Sequence, residues 1–406
     1  MDRPVSRRDA LRFGVASLAA TTTLTAVAAD PPAPDLSPRP FLTSAKDFED
    51  VSRGSPIPHT LKGDALIAAK LTPETWRLEI VADEKVTLTK PLKIDDGTAL
   101  DLTALAALGK THGVRFLKAM QCNNIARPLG QGLWEGVPLR EILRTCGPID
   151  NVRRLYYWGF HNDDPKQIFR SSLAINQVLD APPGELPVFL AYKLNGKPIP
   201  LVRGGPVRIV VPWAHGFKSV KWLQRIVLTN DYRANDTYAE KNNDPESYLK
   251  TAAYFDSTAE ETFPAGKSID FRGTAMVGWP GLKRIEYWLR PDAGTKGKLA
   301  NDDPAWQKAQ WQPGTIDPPP KQWGGDLPEG TLPNDIWGFT ADGKPAEWPL
   351  RYSIAHWSLT LKDLKPGHYE LRVRTVDKNG FAQPEPRPHQ RSGKNLVPCK
   401  LFAVKP

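Results

Sequence analysis

The sequence predicts an α+β protein in which a mixed α/β domain is followed by an immunoglobulin-like β-sandwich. A chain of 406 residues is too long for one ordinary core, so two domains are expected. The 40 prolines favour turns and edge strands over long helices. In the C-terminal third, alternating strands are separated by Gly, Pro and Asn turns without helical patterns between them, which is typical of a sandwich.

The first 29 residues have the pattern of an export signal. Arg7 and Arg8 precede an Ala/Thr-rich stretch and small residues suited to cleavage after Ala28 or Ala29. The paired arginines are typical of a twin-arginine signal, and an ordinary secretory signal is the alternative. We therefore expect a periplasmic protein. Since no later stretch reaches about 18 uninterrupted apolar residues, we expect no membrane span in the mature chain.

The N-terminal half is predicted to be a Pro-rich arm followed by the mixed domain. Proline spacing in residues 30–70 predicts an extended backbone for the arm. For residues 71–235 the patterns predict, in order, strands in “TWRLEIVADEKVTLT”, a short helix, and a strand ending at Cys122. A helix closed by Gly147, a hairpin in “LPVFLAYKLNGKPIP”, and two strands flanking the loop of “VVPWAHGFKSVKWLQ” follow.

The C-terminal half is predicted to contain a linker and then the sandwich. Residues 236–264 are polar and irregular, which is typical of a linker. Residues 265–406 hold the alternating strands, including “KSIDFRGTAMVGWPGLKRIEYWLR” and “HWSLTLKDLKPGHYELRVRTVDKNGFAQ”. The stretch 291–350, rich in Pro, Trp and Gly, is predicted to be a long insertion within it.

The formal charge of +9 favours anionic substrates or an acidic partner protein. Lys/Arg blocks interleaved with aromatic residues are absent from the sequence, which argues against nucleic-acid binding. Net charge alone does not identify the substrate, so the evidence for it comes from individual side chains.

The three cysteines do not predict a disulfide framework. Cys122, Cys146 and Cys399 form an odd set without a CxxC pair, so a zinc site is not expected, and a CxxCH haem motif is absent. Whether Cys146 pairs with Cys399 stays open. Taken alone, Cys122 could be a nucleophile with His112 or His161 as its base, a ligand of a soft metal, or a buried small apolar residue.

Two segments resemble the sulfite oxidase family of molybdopterin-dependent oxidoreductases. These are “MQCNNIARPLGQGLWEGVPLREIL” and “NGKPIPLVRGGPVRIVVPWAHGFKSVKWLQRIVLT”, and the resemblance extends from about residue 45 to 405. It implies a sulfite-oxidase-type molybdopterin-binding catalytic domain over residues 71–235 and a dimerisation domain over residues 265–406, hence a homodimer. It also implies that Cys122 binds molybdenum beside the two dithiolene sulfurs of the pterin, without a haem in this chain.

The resemblance also identifies candidate cofactor-binding residues. An anionic phosphate tail needs cations and N–H donors. The positions that match are Arg208, Ser219, Val220 and Lys221, and Arg203 stands where relatives have His or Asn. Further candidates are Ser52 and Ser55 in the arm and Asn162, beside His161, in a loop resembling the one that packs over the pterin.

Two arginines match the family's anion-pocket positions. Arg53 lies in “SRGSPIP” and Arg127 follows Cys122 by five residues; a guanidinium fork would neutralise and orient an oxyanion there. The family's active-site tyrosine is not matched, because ungapped counting puts Asn242 at that position. Tyr232 and Tyr238 lie nearby and are the alternatives.

The expected activity is transfer of one oxygen atom, with sulfite oxidation to sulfate as the first hypothesis. Electrons would pass to an external acceptor, which we expect to be a c-type cytochrome. The related peptide methionine sulfoxide reductases suggest the reverse direction, reduction of a sulfoxide. A non-catalytic exported binding protein is the alternative from another class.

Overall fold

The computed structural model describes residues 39–125, 127–182, 184–237, 246–291, 293–384 and 395–406. The predicted signal segment, Tyr238 and Asn242 lie outside the described residues. Within these ranges no helix is long and apolar enough to span a bilayer.

Strands outnumber helices in the described chain, as the proline content predicts. The helices are α1 Asp64–Ala68, α2 Leu102–His112, α3 Leu139–Thr145, α4 Ile175–Leu179, α5 Ala293–Lys296 and α6 Pro304–Gln307. The strands of the N-terminal half are β1 Arg77–Ala82, β2 Thr87–Leu88, β3 Leu100–Asp101, β4 Val114–Gln121, β5 Pro128–Pro138, β6 Ile149–Asp150, β7 Arg154–Gly159, β8 Ser171–Ala174, β9 Phe189–Leu194, β10 Lys197–Pro198, β11 Arg208–Val210 and β12 Leu223–Thr229. Those of the C-terminal half are β13 Ala252–Phe255, β14 Glu261–Pro264, β15 Ile269–Met276, β16 Leu282–Pro291, β17 Gln312–Pro313, β18 Thr315–Ile316, β19 Ile354–Leu361, β20 Gly367–Asp377 and β21 Cys399–Lys405.

Two five-stranded sheets build the first domain around one apolar core. One has the strand order β3-β1-β12-β7-β8, with β1 and β12 parallel. The other runs β10-β9-β5-β4, and β11 also pairs with β9. The predicted hairpin is confirmed: Asn195 and Gly196 have φ of 51° and 76° between β9 and β10, the left-handed pair that a type I′ turn requires.

The predicted helices around Cys122 are also confirmed. The Asp101 side chain accepts a hydrogen bond from the Ala104 amide at 2.8 Å and caps α2. Gly147 follows α3 with a φ of 73°, which closes that helix. Strand β4 starts two residues after α2 and ends at Gln121, so Cys122 lies at the end of a strand, as predicted.

The second domain is a β-sandwich, and with it the predicted α+β fold class is confirmed. Its sheets have the orders β13-β15-β19-β18 and β14-β21-β20-β16-β17, and apolar side chains from both fill a second core. The sandwich begins earlier than predicted. The residues 236–264 expected to be a linker contain β13, which pairs with β15, and β14, which pairs in parallel with β21.

The insertion and the N-terminal arm both pack against the first core. The Leu42 amide donates to the Trp323 carbonyl at 2.7 Å, and the Ala119 amide of β4 donates to the Tyr352 carbonyl at 2.9 Å. Phe41, Leu42 and Trp323 are buried in the same cluster. The strand that leads to Cys122 is therefore braced by residues more than 200 positions away in the sequence.

All three cysteines are free thiols. Cys146 is buried in the first core, and burial raises the pKa of its thiol to about 11. Cys399 starts β21 in the sandwich, and burial followed by the charge of Glu370 raises its pKa to about 11 as well. Neither thiol is poised to react as a thiolate near neutral pH.

We expect Glu370→Gln to destabilise the sandwich strongly. Glu370 is fully buried and pairs with Arg372 at 2.7 Å and Arg290 at 2.6 Å, and Arg372 is itself fully buried. Loss of the carboxylate leaves a buried guanidinium without its counter-charge, which costs about 3–5 kcal/mol. Urea unfolding measures the change, with Asp342→Asn, in the exposed Asp342–Lys344 pair, as the control that should leave stability unchanged. An equal, small effect of both substitutions would contradict the expectation.

Candidate functional site

One cavity gathers most of the residues predicted from the sequence. Its volume is about 1140 Å³, counting the part open to solvent. The arm, the ends of β4 and β7, strand β5 and the segment around β11 surround it. The predicted residues that line it are Ser52, Arg53, Cys122, Asn162, Arg203, Arg208, Ser219, Val220 and Lys221.

Cys122 reaches the cavity because β4 ends just before it. The Gln121 side-chain amide donates to the carbonyls of Cys122 at 3.1 Å and Ile125 at 2.6 Å, which holds the chain in a turn after the strand. The Cys122 thiol donates to Asn124 Oδ1 at 2.7 Å. The sulfur is thus partly exposed on the cavity wall rather than packed away as a small apolar residue.

Arg208 is the most deeply placed cation of the cavity. It is 5% exposed, and its guanidinium donates to the carbonyls of Arg203 at 2.8 Å and Ser219. The ring of Trp134 lies 5.1 Å from the guanidinium carbon. Burial, and next the charge of Arg203, lower the pKa of Arg208. Its buried Nε has no hydrogen-bond partner among the described residues.

Lys221, in the loop between β11 and β12, joins that loop to the arm. Its ammonium donates to Asp50 at 2.9 Å, to the Ser52 hydroxyl at 2.6 Å and to the Val202 carbonyl at 2.8 Å. Burial, and next the charge of Arg208, lower the pKa of Lys221 to about 8 despite the nearby carboxylate. Burial alone would raise the pKa of Asp50, but hydrogen bonds from Ser52 and Lys221 outweigh it and lower that pKa to about 2.

Two glycines allow Lys221 to come this close. A Cβ on Gly159 would lie 2.0 Å from the Lys221 carbonyl oxygen. Gly204, with a φ of 97°, would place one 2.7 Å from the Lys221 side chain. A larger residue at either position would displace the lysine, because atoms do not approach so closely.

Arg203 completes the cationic wall. It is 6% exposed and donates to the carbonyls of Ala45 at 2.9 Å and Glu49 at 3.3 Å, and its guanidinium carbon lies 5.9 Å from the ring centre of Phe48. Burial lowers its pKa, although the charge of Asp50 acts in the other direction. Arginine in place of the family's His or Asn therefore still puts a donor into this cavity.

Ser219 and Val220 hold the loop after β11 in place through the Ser219 hydroxyl and the two backbone carbonyls. The Ser219 hydroxyl accepts from the Val211 amide at 3.1 Å, and its carbonyl accepts from Arg208. The Val220 carbonyl accepts from the Ile209 amide at 3.2 Å. Both residues hold β11 and the loop that follows it against each other beside the cavity.

The arm brings Arg53 to the cavity, where its guanidinium carbon lies 5.3 Å from the ring centre of Phe169. The next residue, Gly54, has a φ of 123°, which other residues rarely adopt. Asn162 secures this turn by donating to the Pro56 carbonyl at 2.8 Å and to Gln167 at 2.9 Å. The Ser55 amide donates to the same Gln167 oxygen at 2.9 Å.

Some predicted residues do not reach the cavity. Arg127 forms an ion pair with Glu49 at 2.8 Å, and its side chain is 68% exposed. Ser55 does not line the cavity either, and it acts through the backbone contact with Gln167. Tyr232 is 74% exposed. Of the two histidines considered as a base, His161 lines the cavity, whereas His112 lies beside Glu141 at 3.9 Å.

Several cavity residues were not predicted from the sequence. They include an aromatic set and polar residues of the arm and of the loop after β7: Phe48, Glu49, Trp134, Phe160, Gln167, Phe169 and Phe217. Neither Trp134, which lies against Arg208, nor Asp50, which pairs with Lys221, was predicted to be a site residue. Their contacts with Arg208 and Lys221 span at least 74 positions, which local patterns do not reveal.

Comparison with known proteins supports the resemblance seen in the sequence. Residues 64–237 match the family described as “Oxidoreductase molybdopterin binding domain”. The chain is 28% identical over 210 residues to the mitochondrial sulfite oxidase of Drosophila melanogaster, covering 49% of this chain and 35% of that protein. It is 34% identical over 103 residues to an NADPH nitrate reductase of Fusarium oxysporum, covering 25% and 11% respectively. The chain therefore matches about a third or less of these relatives' length.

A solved structure supports the fold. The sulfane dehydrogenase SoxCD from Paracoccus pantotrophus aligns with a TM-score of 0.55 and 16% sequence identity over 86% of each chain. The likeness covers both domains described above, so the arrangement of a mixed domain and a sandwich is shared.

The cavity residues fit a molybdopterin cofactor. Such a group carries a phosphate and offers two sulfurs to a soft metal, which leaves room for a thiolate ligand. Cys122 supplies that thiol, Arg203, Arg208 and Lys221 supply positive charge, and the unpaired Nε of Arg208 supplies a donor still to be satisfied. These residues would hold the cofactor.

We expect anion binding in this cavity to weaken as Lys221 loses its proton. Because the pKa of Lys221 is about 8, the cofactor-free protein should bind sulfate, whose charge is constant over this range, about tenfold more weakly at pH 10 than at pH 7. Isothermal titration calorimetry across this range measures the change. Lys221→Met should bind weakly at every pH, and Lys193→Met, at the surface, should behave as wild type. The same decline in Lys221→Met would contradict the assignment.

Proposed function

Because this chain belongs to the sulfite oxidase family of molybdopterin-dependent oxidoreductases, we propose that it transfers one oxygen atom at a molybdenum cofactor and oxidises sulfite to sulfate. The observation that carries the proposal is the cavity that joins the Cys122 thiol to a wall of cations. When bound, the cofactor accepts two electrons and supplies the transferred oxygen. The balance is one sulfite and one water giving one sulfate, two protons and two electrons.

The protein's own groups would bind and orient the substrate. Arg53 lies at the edge of the cavity, on the arm, where its guanidinium fork can receive an oxyanion. The Phe169 ring beside it restricts the guanidinium's movement on one side. Deeper in, Arg203 and Arg208 maintain a positive potential that favours a doubly charged anion over a neutral molecule.

Sulfoxide reduction is the second candidate function, and the residue composition of the cavity lining favours it in one respect. Tyrosine is missing from the described residues that line the cavity, whereas Phe160, Phe169 and Phe217 give it apolar walls. Such walls suit the apolar flanks of a thioether sulfoxide. Sulfite-dependent reduction of ferricyanide, compared with methionine-sulfoxide-dependent oxidation of a reduced viologen dye, decides between the two directions.

Export, partners and assembly complete the proposal. The paired arginines near the N-terminus support a periplasmic location by the twin-arginine route. The two electrons would leave one at a time to an external acceptor, for which we propose a c-type cytochrome. The sandwich would form the interface of a homodimer.

Substitution of Arg53 tests the substrate assignment. Arg53→Ala removes the guanidinium at the cavity edge, so the KM for sulfite should rise about tenfold or more while kcat falls less. Steady-state kinetics with ferricyanide measure both constants. Arg233→Ala is the matched control, because Arg233 is exposed and paired with Asp231 outside the cavity.

An unchanged KM in Arg53→Ala would contradict the sulfite pocket. Arg127→Ala, measured in parallel, tests the second predicted arginine. Its exposed position predicts a smaller rise than that of Arg53→Ala. A rise of equal size would bring Arg127 into the substrate pocket.

A further inference from the structure

Lys118 is a fully buried lysine in the middle of β4, four residues before Cys122. Its ammonium donates to the carbonyls of Pro212 at 2.7 Å and Ala214 at 3.2 Å. Within the described residues, no carboxylate pairs with it. Burial, and next the positive charge of Arg208, hold the pKa of Lys118 well below its ordinary value. A buried ammonium in this state is costly for the protein to maintain.

The other buried lysines of the described chain have counter-charges. Lys218 contacts Asp236 at 2.5 Å and also donates to the Ser172 carbonyl at 2.7 Å. Lys400 contacts Glu261 at 2.5 Å. Lys118 therefore differs from them in having no carboxylate partner among the described residues.

The surroundings of Lys118 connect three parts of the cavity wall. Met120 and Cys122, further along the same strand, line the cavity. The carbonyls that Lys118 binds belong to the loop leading from β11 to Ser219 and Lys221. Its own carbonyl accepts from the Trp134 indole at 3.2 Å, and that ring lies against Arg208. The ammonium thus lies behind the wall to which the anionic cofactor would bind.

We propose that Lys118 is a positioning residue whose buried positive charge is compensated by the anionic cofactor across the cavity wall. The inference rests on the proposed function, since it requires that cofactor in the cavity. Without the cofactor, burial and the charge of Arg208 disfavour the protonated form of Lys118. With the cofactor bound, its negative charge favours the protonated form, which in turn favours retention of the cofactor and holds the loop against β4.

The test compares full-length protein from a host that makes the cofactor with protein from a host that cannot. For the wild type, the cofactor should raise the melting temperature. In Lys118→Met this rise should fall by at least half, and molybdenum should be released about tenfold faster on dialysis. Lys118→Gln keeps amide donors for the two carbonyls without the charge, and should behave like Lys118→Met.

The matched control is Lys218→Met, which removes a buried lysine that has a carboxylate partner. The cofactor-free and the cofactor-bound forms of Lys218→Met should both melt at a lower temperature than those of the wild type. The rise in melting temperature that the cofactor causes should stay as in the wild type. If Lys118→Met shows the wild-type rise in melting temperature, or if Lys118→Gln restores that rise, the inference is overturned while the proposed function stands. Failure of the wild-type chain to hold molybdenum contradicts the proposed function and, with it, the inference.

Discussion

Two buried arginines and a largely buried lysine share the wall of one cavity, and within the described part of the chain only one of these cations has a carboxylate partner. Lys221 is paired with Asp50, whereas Arg203 and Arg208 donate only to carbonyl groups within the described residues. In a low-dielectric interior such charges repel one another and disfavour the empty cavity. An anionic ligand relieves this repulsion. The cavity is therefore built for a negatively charged group before any chemistry at Cys122 is considered.

The rest of the fold serves to hold this charged wall beside the thiol. Strand β4 carries Cys122 and is braced at Ala119 by Tyr352 from beyond the sandwich insertion. The arm supplies Asp50 and Ser52 to Lys221, and the loop after β7 secures the arm through Asn162. The second domain is thus part of the framework of the site, because the Trp337 amide of its insertion also donates to the Arg115 carbonyl of β4 at 2.9 Å.

Local patterns predicted the parts of this arrangement that depend on neighbouring residues. The turn at Asn195–Gly196 and the end of α3 at Gly147 follow from φ angles that few residues adopt. Resemblance to a known family predicted Cys122, Arg208 and Lys221. The four-residue strand β13 was missed, since so short a segment shows no clear alternation and its pairing with β15 is a long-range contact.

Contacts between residues far apart in the sequence explain the remaining differences between the predicted and the observed site. The ion pair between Arg127 and Glu49 joins positions 78 apart and orients Arg127 along the surface, which no spacing from Cys122 reveals. The turn at Gly54, next to Arg53, has a φ of 123°, which other residues rarely adopt. Such features depend on how the arm folds over the domain, and they set the shape of the cavity edge.

X-ray absorption at the molybdenum edge tests the central claim most directly. The claim is that Cys122 is the protein ligand in a cavity whose cations hold an anionic cofactor. Wild-type protein should show three sulfur ligands around molybdenum, two from the cofactor and one from Cys122, and Cys122→Ser should show two. Three sulfurs in Cys122→Ser, or two in the wild type, would contradict the account.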